Sequence, residues 1–189
     1  MAAFKKENNK MTQAQLKQAE TLTLYAQPYD LDAQGFYFTS FEDYQAKYNK
    51  NCNVYGQPVE EYMIDFIDGS AIDCDLFNAV KGQYNFKAFF MVANTWEDYQ
   101  KIPLIIAYSE NITSEPFNEE VTSDMFEDID IYYDMSFKDL AEHFVEEGLF
   151  GDIPDHLENY LDIEKMARDL SYDYNEISVG NNSIIYRSM

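Results

Sequence analysis

The chain has 189 residues, with 35 acidic against 13 basic side chains and a formal net charge of −22. That balance excludes a conventional nucleic-acid binder, which needs a basic face to displace counterions from phosphates, and a protein that docks on anionic lipid. Disorder does not follow from it, because hydrophobic residues make up 46% and aromatics 16% of the chain, enough apolar surface to build a core.

The first 20 residues stand apart. Lys5, Lys6, Lys10 and Lys17 outnumber Glu7 and Glu20, so residues 1–20 read as a mobile basic extension of net charge +2, and the rest carries −24. No apolar run of the signal-peptide kind follows Lys10. The longest apolar runs, 88–93 and 103–108, fall far short of the ~20 residues of a membrane span. Alternation in Leu22 to Gln27 predicts a strand stopped by Pro28, and Phe36 to Phe38 a second. Ser40 caps a short helix from Phe41 to Tyr48, with Asp43 at the third position. Tyr62, Ile64 and Phe66 share one face of a third strand, closed by Asp68-Gly69. Asp73 is the expected cap of a helix carrying Leu76, Phe77 and Val80, and 84–93 reads as a buried helix. Thr95 is expected to cap a further helix that Pro103 ends, leaving 104–108 open between strand and helix.

Lys101 and Lys138 bracket the longest stretch without a basic residue, which holds nine acids. Phe117, Val121, Met125, Phe126, Ile129 and Ile131 are interleaved with them, so the stretch reads as an ordered element with one apolar and one anionic side. Ser136 then caps a helix with Asp139 at the capping-box position, Phe137, Leu140, Ala141, Phe144 and Val145 as its apolar stripe and Gly148 as its stop. Pro154 opens a short helix, and Asp162 caps another with Ile163, Met166, Ala167 and Leu170 inward. Residues 176–179 and 183–186 form a β-hairpin. The fold class is α+β, with short strands, short helices and a C-terminal set of helices plus hairpin. Composition and element breaks divide it into the extension 1–20, an N-terminal subdomain 21–69, a middle subdomain 70–123 and a C-terminal subdomain 124–189.

Catalytic grammar is sparse. His143 and His156 sit among carboxylates on acidic helices, and there is no glycine-rich phosphate loop, G-x-S-x-G, H-E-x-x-H or C-x-x-C. Cys52 and Cys74 lack metal-type spacing and read as free thiols of a reducing cytoplasm. Asp73-Cys74-Asp75 and Asp128-Ile129-Asp130 have the D-x-D spacing of cation-assisted phosphoryl transfer, but pairs of this kind arise by chance in so acidic a chain, and no basic residue adjoins either. The expectation is a protein without catalytic residues, metal or cofactor. The charge itself has a scale: duplex DNA carries one negative charge per ~1.7 Å, so −22 matches roughly one helical turn.

Several stretches resemble the ArdA antirestriction family. Leu24-Tyr25-Ala26 followed by Gly35-Phe36-Tyr37-Phe38 is similar to its opening strand, loop and strand. Residues Glu60-Glu61-Tyr62-Met63-Ile64-Asp65-Phe66-Ile67-Asp68-Gly69 resemble its E-E-W-x-I-x-D-Y-E-G segment, with Tyr62 in place of Trp. Ser136 to Gly148, Ile153-Pro154-Asp155-His156-Leu157, Tyr160-Leu161-Asp162, Ala167-Arg168-Asp169-Leu170 and Ile185-Tyr186-Arg187 follow the family order. The resemblance implies an elongated, homodimeric DNA mimic of three small α/β subdomains in the cytoplasm of a bacterial host. Such a protein occupies the DNA-binding cleft of a type I restriction–modification enzyme, at its methyltransferase core. The phosphate surrogates it implies are Asp124, Glu127, Asp128, Asp130, Asp134, Asp139, Glu142, Glu146, Glu147, Asp155 and Glu158. Two alternatives stand beside it: an inhibitor of another defence system such as a CRISPR effector, and an acidic binding module for a basic protein.

Overall fold

Period-two patterning builds the first sheet of the computed structural model, which describes residues 21–151, 153–158 and 160–188; the N-terminal extension lies outside them. Strand β1 (Thr23–Pro28) runs between β2 (Phe36–Phe38) and β3 (Tyr62–Asp68), antiparallel to both. Leu24, Ala26, Phe38 and Ile64 are buried on one face, while Tyr25 points the other way and meets Tyr37 across the pair, ring centroids 4.7 Å apart. As expected, β1 stops at Pro28, its last residue, which lies opposite Tyr62 at a strand-terminal position that proline tolerates.

Helix α1 (Phe41–Tyr48) starts as its cap predicts. The Asp43 N–H donates to Ser40 Oγ, and the Thr39 N–H donates back to the Asp43 carboxylate. Helix α2 (Ala71–Ala79) begins earlier than expected, because Ser70 rather than Asp73 is its cap. Helix α3 (Phe86–Thr95) is capped by Asn85, and Thr95, instead of opening the next helix, closes this one by donating its hydroxyl to the Met91 carbonyl. Helix α4 (Asp98–Ser109) starts from a Glu97–Gln100 capping box and runs straight through Pro103. An interior proline costs about 3 kcal/mol. Ile102, Leu104, Ile105 and Ile106 are all buried, at about 1.5–3 kcal/mol each, and burial prevails.

The acidic stretch is not one element. It is a loop, a 3-10 turn at Ser123–Phe126 and a strand, β4 (Ile129–Tyr133). Val121 and Phe126 anchor the loop as separate buried points, at a spacing that fits neither helix nor strand. β4 joins the hairpin of β5 (Asn175–Val179) and β6 (Asn182–Ser188) in the order β4-β6-β5. Helices α5 (Phe137–Glu146), α6 (the single turn Asp155–Glu158) and α7 (Ile163–Asp173) belong to the same third of the chain.

Two cores result, and they meet on β6. The first runs from the first sheet through α2, α3 and α4 to Val179, Ile184 and Tyr186. The second gathers Leu140, Ala141 and Phe144 of α5, Ala167 and Leu170 of α7, Tyr174 and Ile185. Alternate residues of β6 are thus buried in different cores, so the second sheet is covered on both faces. Among the described residues no helix is long and apolar enough to cross a membrane.

Candidate functional site

The carboxylates between residues 124 and 147 are held by three kinds of local structure. Asp124 is the second residue of the 3-10 turn, and the Ser123 hydroxyl donates to it at 3.2 Å. Asp124 and Glu127 line a groove with Tyr99 and Pro103, and Asp128 lines a neighbouring one with Glu115 and Met125. Asp124, Glu127 and Asp128 are exposed. Glu115 was not among the surrogates expected from sequence; only the folding of the loop brings it beside Asp128.

On β4, alternation turns Ile129 and Ile131 to the first core and Asp130 and Tyr132 to the opposite face. There Asp130 faces Arg187 of β6 in register, and the guanidinium donates to it at 2.8 Å. Arg187 also lies 4.7 Å from the centre of the Tyr174 ring. Asp130 is therefore a neutralised member of the set. Asp134 follows the strand at φ 52°, its N–H donating to the Ser183 carbonyl and its carboxylate accepting the Ser183 N–H.

The periodicity of α5 sorts its charges. Leu140, Ala141 and Phe144 are buried, while Lys138, Asp139, Glu142 and Glu146 are exposed. Asp139, Glu142 and Glu146 share one face at axial steps of about 4.5 and 6 Å, from the ~1.5 Å helical rise. Asp139 also closes the capping box: its carboxylate accepts the Ser136 hydroxyl at 2.7 Å and the Ser136 N–H at 2.9 Å, and these bonds hold it below the usual carboxylate range. Lys138 is drawn aside to Glu164 of α7, 3.4 Å away. Glu146 and Glu147 stand at the negative end of the helix dipole, where a carboxylate is unfavourable by roughly 0.3–1 kcal/mol, and His143 is the one basic side chain in that last turn. Asp155 and Glu158 lie on α6; their side chains are outside what the structure describes.

Of the two D-x-D pairs, Asp73 and Asp75 have structural occupations, as has Asp130, while Asp128 stays exposed. Asp73 takes the Lys101 ammonium at 2.8 Å and the Ser70 hydroxyl at 2.7 Å. Asp75 accepts the Gly180 N–H at 2.6 Å, tying α2 to the β5–β6 turn. Among the described residues, no group of three or more His, Cys, Asp or Glu side chains is placed to hold a metal ion. His143 packs edge-on against Tyr132, and Cys52 and Cys74 are free thiols.

Several of the cations are taken up in pairs, Lys47 with Asp43, Lys87 with Glu119, Lys101 with Asp73, Lys138 with Glu164 and Arg187 with Asp130. The arrangement can therefore present uncompensated negative charge on rigid elements, the property a basic protein cleft selects. No curated protein matches the chain. The sequence profile of the antirestriction protein (ArdA) family, in contrast, matches residues 39–184, from just before α1 into β6, and the chain therefore belongs to the ArdA antirestriction family.

Proposed function

We propose that this antirestriction protein acts as a DNA mimic that occupies the DNA-binding cleft of a type I restriction–modification enzyme, at its methyltransferase core, and acts without chemistry of its own. The observation that carries the reading is the exposed series Asp124, Glu127, Asp128, Asp134, Glu142, Glu146 and Glu147. Two of these, Glu146 and Glu147, sit where they weaken their own helix. A carboxylate retained at a local cost is explained by a partner that needs it. The axial steps along α5 are comparable with the ~3.4 Å rise between phosphates of one strand, one to two phosphates per step. In this reading Asp130 and Asp139 serve the fold first, and the protein acts as a homodimer that extends the charge track.

Phage plating on hosts carrying type I, type II or CRISPR systems, with and without the gene, tests it. Relief is expected with type I hosts; relief confined to a CRISPR host would reassign the target, and no relief anywhere would reject inhibition. A sharper test uses the double variant Glu146→Gln/Glu147→Gln. Its unfolding free energy should rise by a few tenths of a kcal/mol up to about 1 kcal/mol, while its binding to the methyltransferase weakens. A variant that gains stability and keeps full affinity would remove these two residues from the surface.

A further inference from the structure

The end of the first sheet carries a second surface of a different kind. Two turns lie side by side there. In one, the Ala33 N–H donates to the Asp30 carbonyl at 3.2 Å; in the other, the Gly56 N–H donates to the Asn53 carbonyl at 2.9 Å. The turns are stitched together by the Val54 N–H on the Asp32 carbonyl at 3.0 Å and by the Asn53 amide on the Asp30 carboxylate at 2.9 Å. Asn53 Oδ1 accepts the N–H groups of Tyr55 and Gln57 within its own turn, and the Cys52–Pro58 bridge closes its base. The Tyr29 N–H, donating to the Glu61 carbonyl, fixes the stem of the other.

What this scaffold displays is unusual for turns. Their centres are ordinarily filled by Gly, Pro, Asn, Asp or Ser. Here Leu31 is 98% exposed, Val54 75% and Tyr55 74%, with Tyr29 65% exposed at the stem. Around them stand Asp32, Glu60 and Glu61, all exposed, and Asp30, while Lys50 at the base of the second loop leaves the carboxylates in excess. Four large apolar side chains are carried on a hydrogen-bonded double turn whose backbone need not be ordered on binding.

Resting on the DNA-mimic reading, we propose that this double turn is an apolar anchor for the same target. It fits a recess of apolar side chains set among lysines and arginines at the margin of the enzyme's DNA-binding surface. The charge decides the occupant: the acidic surround repels nucleic acid and anionic lipid and complements a basic protein surface. The anchor supplies the part of the affinity that salt does not screen, and the carboxylates of residues 124–147 supply the part that it does. Tyr29 and Leu31 precede the segment matched by the family profile, and Val54 and Tyr55 lie within it.

The test is the double variant Leu31→Ser/Tyr55→Ser, with both side chains exposed and thermal unfolding expected to match wild type. Binding to a purified type I methyltransferase core is measured at about 0.1 and 0.5 M NaCl. The variant should bind at least about 30-fold more weakly at both, with the dependence of log Kd on log salt unchanged. Glu142→Gln/Glu146→Gln/Glu147→Gln should behave conversely and flatten that dependence. Wild-type affinity in the Leu31/Tyr55 variant at both salt concentrations overturns the anchor and leaves the mimic reading standing. A wild-type protein that binds no such core overturns both. The anchor is also overturned if the variant changes the oligomeric state in sedimentation, or if wild type but not variant floats with neutral phosphatidylcholine vesicles; the double turn would then serve self-association or a lipid surface.

Discussion

Lys101 shows how this acidic chain spends a cation. It is the buried charged residue of α4, and its ammonium donates to Asp73 of α2 at 2.8 Å and to the Ala93 carbonyl of α3 at 2.9 Å, so one side chain fastens three helices. Removing one partner of such a pair leaves an uncompensated charge inside. Lys101→Met should therefore cost about 3 kcal/mol in urea unfolding, and adding Asp73→Asn should recover part of it. Equal losses in single and double variants would show that packing of the lysine stem, not the ion pair, is what matters. Tyr44 makes a pH-dependent contribution. Burial pushes its phenol from 10.0 up to about 12, with the neighbouring Tyr48 and Tyr62 adding to the shift. The native state then holds a proton that the unfolded chain releases first, so this contribution is complete below pH 10 and is lost as pH rises toward about 12. Stability curves of Tyr44→Phe should fall less steeply than wild type in that window, and parallel curves would contradict the assignment.

Elements with a polar signal at their boundary were legible in the sequence. Ser40, Ser136 and Asp162 start α1, α5 and α7 as their side chains predict, because a cap is a local hydrogen bond decided within three residues. Where several polar residues compete, the local signal misleads, as with Ser70 in place of Asp73 at α2 and Thr95 closing α3; the other failures are elements whose boundaries are set from a distance. The Pro103 break is overridden by burial of α4 in the first core, and β4 exists because β6 passes beside it, more than 50 residues later in sequence. The candidate site divides the same way. Exposure of Glu142 and Glu146 follows from helical period alone, whereas the neutralisation of Asp130 by Arg187 and the approach of Glu115 to Asp128 depend on tertiary packing. The turn between β5 and β6 is another long-range boundary. Gly180 has φ +61°, and a Cβ there would lie 2.7 Å from Ile72 of α2. Gly180→Ala should lose about 1–3 kcal/mol through strain and through displacement of the turn from α2. A neutral substitution, measured by thermal unfolding, would mean that the hairpin docks without this close approach.

At the scale of the whole molecule, the proposed function has charge acting with opposite sign on the free protein and on its complex. A net charge of −22 repels itself in the free state, so raising NaCl from about 10 mM to 0.5 M, which shortens the screening length several-fold, should raise Tm. The same change should weaken binding to the target steeply. Both trends in one buffer series would separate this protein from an ordinary acidic domain; a complex whose affinity ignores salt would place its binding energy in apolar contact alone. The central place of β6 has a consequence in time. It is made after every other element described, yet Ile184 and Tyr186 complete one core and Ile185 the other. During synthesis, neither core is complete until that strand has inserted beside β4 and β5.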